Sequence, residues 1–199
     1  MRFRHPAGTA LGLGLAAALV VIVGLLGRIG DIREEFVKSR QRATLPHEGA
    51  FVPPVRAPTL TGDSITLGEP RGADRQLLLV FTTTCPFCKA TLPVWDSLAD
   101  SIRRADPSVQ IVGVSLDSAG LAQTYATDHQ LSYPIVTLTA ARWRFLYRAG
   151  AVPQTVVVEA GGLVRYATVG KLTAGVVLDS VYRAVFARAE STGAAVAQR

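Results

Sequence analysis

The chain of 199 residues holds two cysteines, Cys85 and Cys88, separated by Pro86 and Phe87. A Cys-x-x-Cys spacing sets two sulfurs one helical turn apart, so the pair can close into a disulfide and reopen. The thiolate is the nucleophile in such exchange. A free cysteine ionises near pH ~8.5, and the unsatisfied N–H groups at a helix N-terminus lower that value. Cys85 falls where an apolar run ends and a helical pattern begins, which makes it the expected attacking group. Cys88, one turn further in, is the expected resolving group. Pro86 occupies the first turn, where its missing N–H costs nothing. With no further cysteine to misbridge, the pair suits an oxidising compartment.

The same residues allow other chemistries. A structural disulfide closing so short a loop adds little stability, because the benefit rises with loop length. A zinc site needs two more ligands, and the histidines are His5, His47 and His129. A copper carrier using Cys85, Cys88 and His129 is an alternative of a different class. Lys89 follows Cys88, so the pair is not a Cys-x-x-Cys-His haem attachment site. No metal or cofactor is expected. The formal charge of +6 comes from scattered arginines without interleaved aromatics, which argues against a nucleic-acid partner.

The elements that must position the dithiol follow from periodicity. Gln76–Phe81 is a continuous apolar run, as a strand buried on both faces requires. A helix is expected from about Pro86 to Ala105, with Leu92, Trp95, Leu98, Ala99 and Ile102 on one face and Pro93 as a kink. Trp95 reads as core without a polar partner, and Lys89, Asp96 and Asp100 read as a solvated face. Val109–Ser115 is a second buried strand. Helices are expected at Ser118–Gln130, Ala140–Tyr147 and Thr173–Ala189, with an antiparallel hairpin at Thr155–Thr168 turning at Glu159–Gly162. A smaller hairpin is expected at Thr59–Leu67 about Gly62-Asp63. A β-α-β half followed by a β-β-α half is an α/β sandwich with a mixed central sheet flanked by helices.

Hydrophobic residues make up 49% of the chain at a mean hydropathy of +0.28, which excludes wholesale disorder and points to an apolar segment outside the globular body. That segment runs from Ala7 to Gly27 without a charge. At a rise of about 1.5 Å per residue it spans a hydrocarbon core of roughly 30 Å. It exceeds a signal-peptide core and ends without a small-x-small cleavage site, so a retained single-pass anchor is expected. The positive-inside count disagrees with an extracytoplasmic body: Arg2 and Arg4 precede the helix, whereas Arg28, Arg33, Lys38, Arg40 and Arg42 follow it. The cysteine chemistry outweighs that count. The expected organisation is a short basic N-terminus over 1–6, a transmembrane anchor over 7–27, a juxtamembrane helix and linker over 28–50, a folded domain over 51–190 and a flexible tail over 191–199.

Phe81-Thr-Thr-Thr-Cys85-Pro-Phe-Cys88-Lys89, with Pro93 and the later Gly150-Ala-Val152-Pro153-Gln154-Thr155, resembles the thioredoxin-like superfamily. The anchor, Ala57-Pro58-Thr59-Leu60, Val114-Ser115-Leu116-Asp117 and Gly170 are similar to the membrane-anchored TlpA/ResA thiol–disulfide oxidoreductases. The resemblance implies a thioredoxin-like fold with an N-terminal β-hairpin and a cis Val152–Pro153 peptide whose backbone meets an extended substrate. It implies an active-site loop of Thr84, Pro86 and Phe87, client proteins with cysteine pairs, and a membrane electron donor. Relatives of this kind commonly act as reductants, for example in cytochrome c maturation.

The chain also departs from the pattern. Thr91 stands where many relatives carry Glu, three residues after the second cysteine, and Leu79 stands where thioredoxins carry a buried acid. Neither familiar proton-handling group is present. Peroxiredoxin-like peroxidase chemistry is a further alternative, disfavoured because its Pro-x-x-x-Thr-x-x-Cys pattern meets Leu78 at the proline position.

Overall fold

The computed structural model describes residues 6–70, 74–173 and 175–186, so most of the basic N-terminus and the whole expected tail lie outside the described residues. The chain divides into two compact units between Ala43 and Thr44. The described part of the first is helix α1, Pro6–Thr44, up to its last residue, which falls in the second. The apolar run and the charged stub after it are therefore one continuous element. Gly27 and Gly30 weaken a helix but do not break it, and the first proline beyond them is Pro46. From Leu15 onward α1 is long and apolar enough to cross a membrane by length and composition.

The second unit is built on a mixed sheet. Strands β1 (Val55–Pro58) and β2 (Ser64–Leu67) form a separate antiparallel hairpin. Strands β3 (Arg75–Phe81), β4 (Gln110–Ser115), β5 (Ile135–Thr137), β6 (Gln154–Glu159) and β7 (Val164–Val169) form one sheet in the order β5-β4-β3-β6-β7. β3 runs parallel to β4 and antiparallel to β6. Between them lie α2 (Pro86–Ala105), α3 (Ala119–Asp128), α4 (Ala141–Leu146) and the closing α5 (Val176–Phe186).

The central strand shows why this sequence takes this position. Every residue of β3 is buried, and successive side chains point to opposite faces. Leu77, Leu79 and Phe81 pack with Leu92, Trp95 and Ile102 of α2, Tyr125 of α3, and Val181 and Val185 of α5. Leu78 and Val80 pack on the other face with Val52, Val55, Ala57 and Leu67, against which α4 adds Trp143 and Leu146. Each such side chain contributes about 1.5–3 kcal/mol on full burial. Two-sided burial in mid-sheet brings the C-terminal end of β3, and hence Cys85, to the rim of the sheet.

Several elements differ from expectation. The small hairpin starts earlier, at Val55, because Val55 and Ala57 alternate inward while Thr59 already belongs to the turn, its N–H donating to Asp63 O at 2.8 Å. β5, with three residues, is too short to leave a periodic pattern. α5 begins at Val176 rather than Thr173. Packing also starts ahead of residue 51, since Gly49 N donates to Val164 O at 2.9 Å and Ala50 is in the core.

Candidate active site

β3 ends at Phe81, and Thr82–Thr84 turn the chain into α2. Cys85 is the extended N-cap residue of that helix, and its Sγ accepts from Cys88 N–H at 3.3 Å. A helix-terminal N–H thus meets the sulfur that sequence reasoning expects to ionise. Thr83 N–H donates to Asp117 Oδ2 at 2.6 Å, which ties the turn to the end of β4. Cys85 is partly exposed, Cys88 is fully buried, and both are free thiols. Thr84, Pro86 and Phe87 are exposed around them, Phe87 by 63%.

Opposite the dithiol lies the loop before β6. The Val152–Pro153 peptide is cis, and Val152 O stands 3.9 Å from Cys85 Sγ. Gln154 clamps this loop from behind: its Nε2 donates to Ala151 O at 2.7 Å and Arg148 O at 3.1 Å. Gly170 N–H donates to Pro153 O at 2.8 Å. Sequence reasoning assigned no role to Gln154. Its position directly after Pro153 was the available signal.

The model of the family described as "AhpC/TSA family" matches residues 49–167, which include the dithiol, the cis-proline loop and all seven strands except the end of β7. The chain belongs to the AhpC/TSA family. Among curated proteins it is similar to the "Methylamine utilization protein MauD" of Methylorubrum extorquens, 27% identical over 168 residues, covering 83% of this chain and 79% of that protein. Among solved structures it resembles StoA from Bacillus subtilis, with a TM-score of 0.56 and 22% identity over 66% of this chain and 98% of that one. It also resembles the thioredoxin domain of a thiol-disulfide oxidoreductase from Bacteroides vulgatus, with a TM-score of 0.57 and 19% identity over 70% of this chain and 99% of that one. These likenesses establish a thioredoxin-like fold of the kind thiol–disulfide oxidoreductases use.

Within this AhpC/TSA-family site the two sulfurs are unequally buried, Cys85 in part and Cys88 completely. Burial pushes the Cys88 thiol up to about 12, opposed by a backbone hydrogen bond from Thr82 and reinforced by Cys85 and Asp117. The positions where relatives carry acids hold none: Leu79 is core, and Thr91, fully buried, donates its hydroxyl to Phe87 O at 2.8 Å. Two expectations on α2 are corrected. Trp95 is core but does have a polar partner, its Nε1 donating to Thr155 Oγ1 of β6 at 2.9 Å, a pairing across the chain that no local pattern reveals. Asp96 is not simply solvated: its Oδ1 is buried without a hydrogen-bond partner, and burial, with Asp100, raises its pKa. His129 lies edge-on to Tyr125 with ring centroids 4.5 Å apart. Among the described residues no three His, Cys, Asp or Glu side chains gather as a metal would need, so the Cys85, Cys88 and His129 trio of the copper alternative is not assembled.

Proposed function

We propose that this chain is a membrane-anchored, extracytoplasmic thiol–disulfide oxidoreductase that reduces disulfides of client proteins through Cys85 and Cys88. The observation that carries the reading is the placement of Cys85 Sγ, which accepts from the N–H of Cys88 at 3.3 Å and faces Val152 O at 3.9 Å. A thiolate there is stabilised by the helix N-terminus and open to a partner. Cys85 attacks the client disulfide, and Cys88 resolves the mixed disulfide. Thr84, Pro86 and Phe87 form the rim that meets the client. Val152 and Pro153 offer an extended backbone edge for a short antiparallel pairing. Helix α1 anchors the chain, and a membrane donor returns electrons to the oxidised pair. The reductive direction, with cytochrome c maturation as one setting, is supported by the resemblance to TlpA/ResA proteins.

The deciding experiment is the reduction potential of the full-length protein in detergent, equilibrated in glutathione or dithiothreitol buffers with free thiols counted. A value near about −270 mV marks a reductant, and one near about −120 mV marks a disulfide donor. No reversible couple would sink the oxidoreductase reading. C85S is expected to abolish exchange while leaving the circular dichroism spectrum and thermal midpoint unchanged.

A further inference from the structure

β6 opens on a residue that packing alone does not call for. Gln154 is 1% exposed and lines one small cavity with Leu78, Val80, Leu146 and Val156. Its Oε1 is buried there without a hydrogen-bond partner, which is unfavourable in an apolar interior. A valine would suit this buried strand position and leave no orphan atom. The other end of the amide shows what the residue is for. Both hydrogens of Nε2 are in use, one on Ala151 O at 2.7 Å and one on Arg148 O at 3.1 Å. Arg148 has a left-handed backbone, φ +51°, which a side-chain-bearing residue resists, and the amide holds its carbonyl in that turn.

These bonds fix the carbonyl of Val152. Peptide groups are planar, so anchoring Ala151 O sets the plane of the Ala151–Val152 peptide. On the far side Gly170 N–H donates to Pro153 O at 2.8 Å. Val152 O lies between the two anchors, 3.9 Å from Cys85 Sγ. The Gln154 bonds come from a side chain, whereas β6 itself is held to β3 and β7 by backbone pairing, Gln154 opposite Val80 and Val169. A substitution at Gln154 therefore removes the clamp without removing a ladder bond.

We propose that Gln154 is a positioning residue for client binding: its amide holds Ala151 and Arg148 so that the Val152 carbonyl is aimed to accept an N–H from an extended client segment beside the attacked disulfide. The inference rests on the exchange reading above and names the client class the site favours, a disulfide whose cysteine lies in an extended peptide with a free N–H, over a small disulfide without flanking backbone. Gln154 acts through Val152 and not on the client.

The test compares two probes on the full-length reduced protein in detergent. One is a proline-free peptide whose single cysteine is blocked as its 4-thiopyridine mixed disulfide; the other is 2-mercaptoethanol bearing the same group, which has no peptide N–H. In both, the Cys85 thiolate attacks the aliphatic sulfur, the Cys85–probe bond forms, and thiopyridone leaves with the electron pair and is read by its absorbance. The ratio of the two second-order rate constants cancels the ionisation of Cys85, which both reactions share. The wild type is expected to favour the peptide, and in Q154A the ratio is expected to fall roughly 10-fold, as for the loss of one hydrogen bond. Q154E keeps the shape, but its carboxylate cannot donate. Its ratio is expected to fall at pH 8 and to recover in part at pH 5, where the buried carboxyl is protonated and donates to one of the two carbonyls.

A wild-type ratio in Q154A, or two rates that fall together, overturns the assignment. So does a lower ratio in both variants with no recovery of Q154E at pH 5, which marks a packing defect. If the wild type shows no preference for the peptide, the Val152 edge is not used and the assignment falls while the exchange reading stands. If neither probe releases thiopyridone, the exchange reading fails and the assignment with it.

Discussion

Cys85 and Cys88 stand in unlike surroundings although two residues separate them: one caps a helix at the surface, the other lies beneath it. Their spacing and their place at a strand-to-helix junction were legible because Cys-x-x-Cys is local. Asp96 was not legible in the same way. On the sequence it belongs to a charged helix face with Lys89 and Asp100, whereas in the folded protein its Oδ1 is buried without a hydrogen-bond partner. That burial has a pH signature. A carboxyl whose folded pKa is raised above its unfolded value contributes stability below the unfolded pKa, near ~3.9, and loses it as pH rises through the folded value. The stability difference between D96N and wild type should therefore move in favour of the variant between pH 3 and pH 7, read by urea unfolding at each pH. A difference constant with pH would mean that Asp96 is not desolvated.

At the scale of elements, the strands with continuous apolar runs and the amphipathic α2 were readable, since burial on both faces and on one face leave different patterns. What escaped was short or held by partners far along the chain. β5 pairs with β4 over three residues, Gly113–Ser115 against Ile135–Thr137. Buried Arg75 opens β3 and is held by Val185 O of α5 and by Glu159, which also pairs with Arg165. Gln76, fully buried, joins the hairpin to the sheet by accepting from Gly68 N–H and donating to Thr66 O. The β6–β7 turn shows tertiary demand on a local motif. Gly162 has φ +85° and its O accepts from Val52 N–H at 2.7 Å, so a Cβ there would strike the Val52 carbonyl. G162A is expected to cost at least about 1–2 kcal/mol from the left-handed backbone alone. Chemical denaturation would measure it, and a loss below a few tenths would show that the N-terminal segment is not seated on this turn.

For the whole molecule, the apolar N-terminal helix and the thioredoxin-like body make separate predictions. Full-length protein should resist extraction by high salt and alkaline carbonate and be released by detergent, because an apolar span is held by the hydrocarbon core and not by charge. In intact spheroplasts a membrane-impermeant maleimide should label Cys85. Labelling only after lysis would place the body in the cytoplasm, as the arginines after the apolar run would have it. The sequence by itself determined the dithiol, the apolar span and the order of the main strands and helices, because each is encoded in residue spacing within a single segment. Only the tertiary structure decided what faces the attacking sulfur, the carbonyl of Val152 at 3.9 Å from Cys85 Sγ, and what Trp95 pairs with, the hydroxyl of Thr155. These residues come from the α2 region, the loop before β6 and β6 itself, and their meeting depends on sheet order and helix docking, which no local spacing encodes.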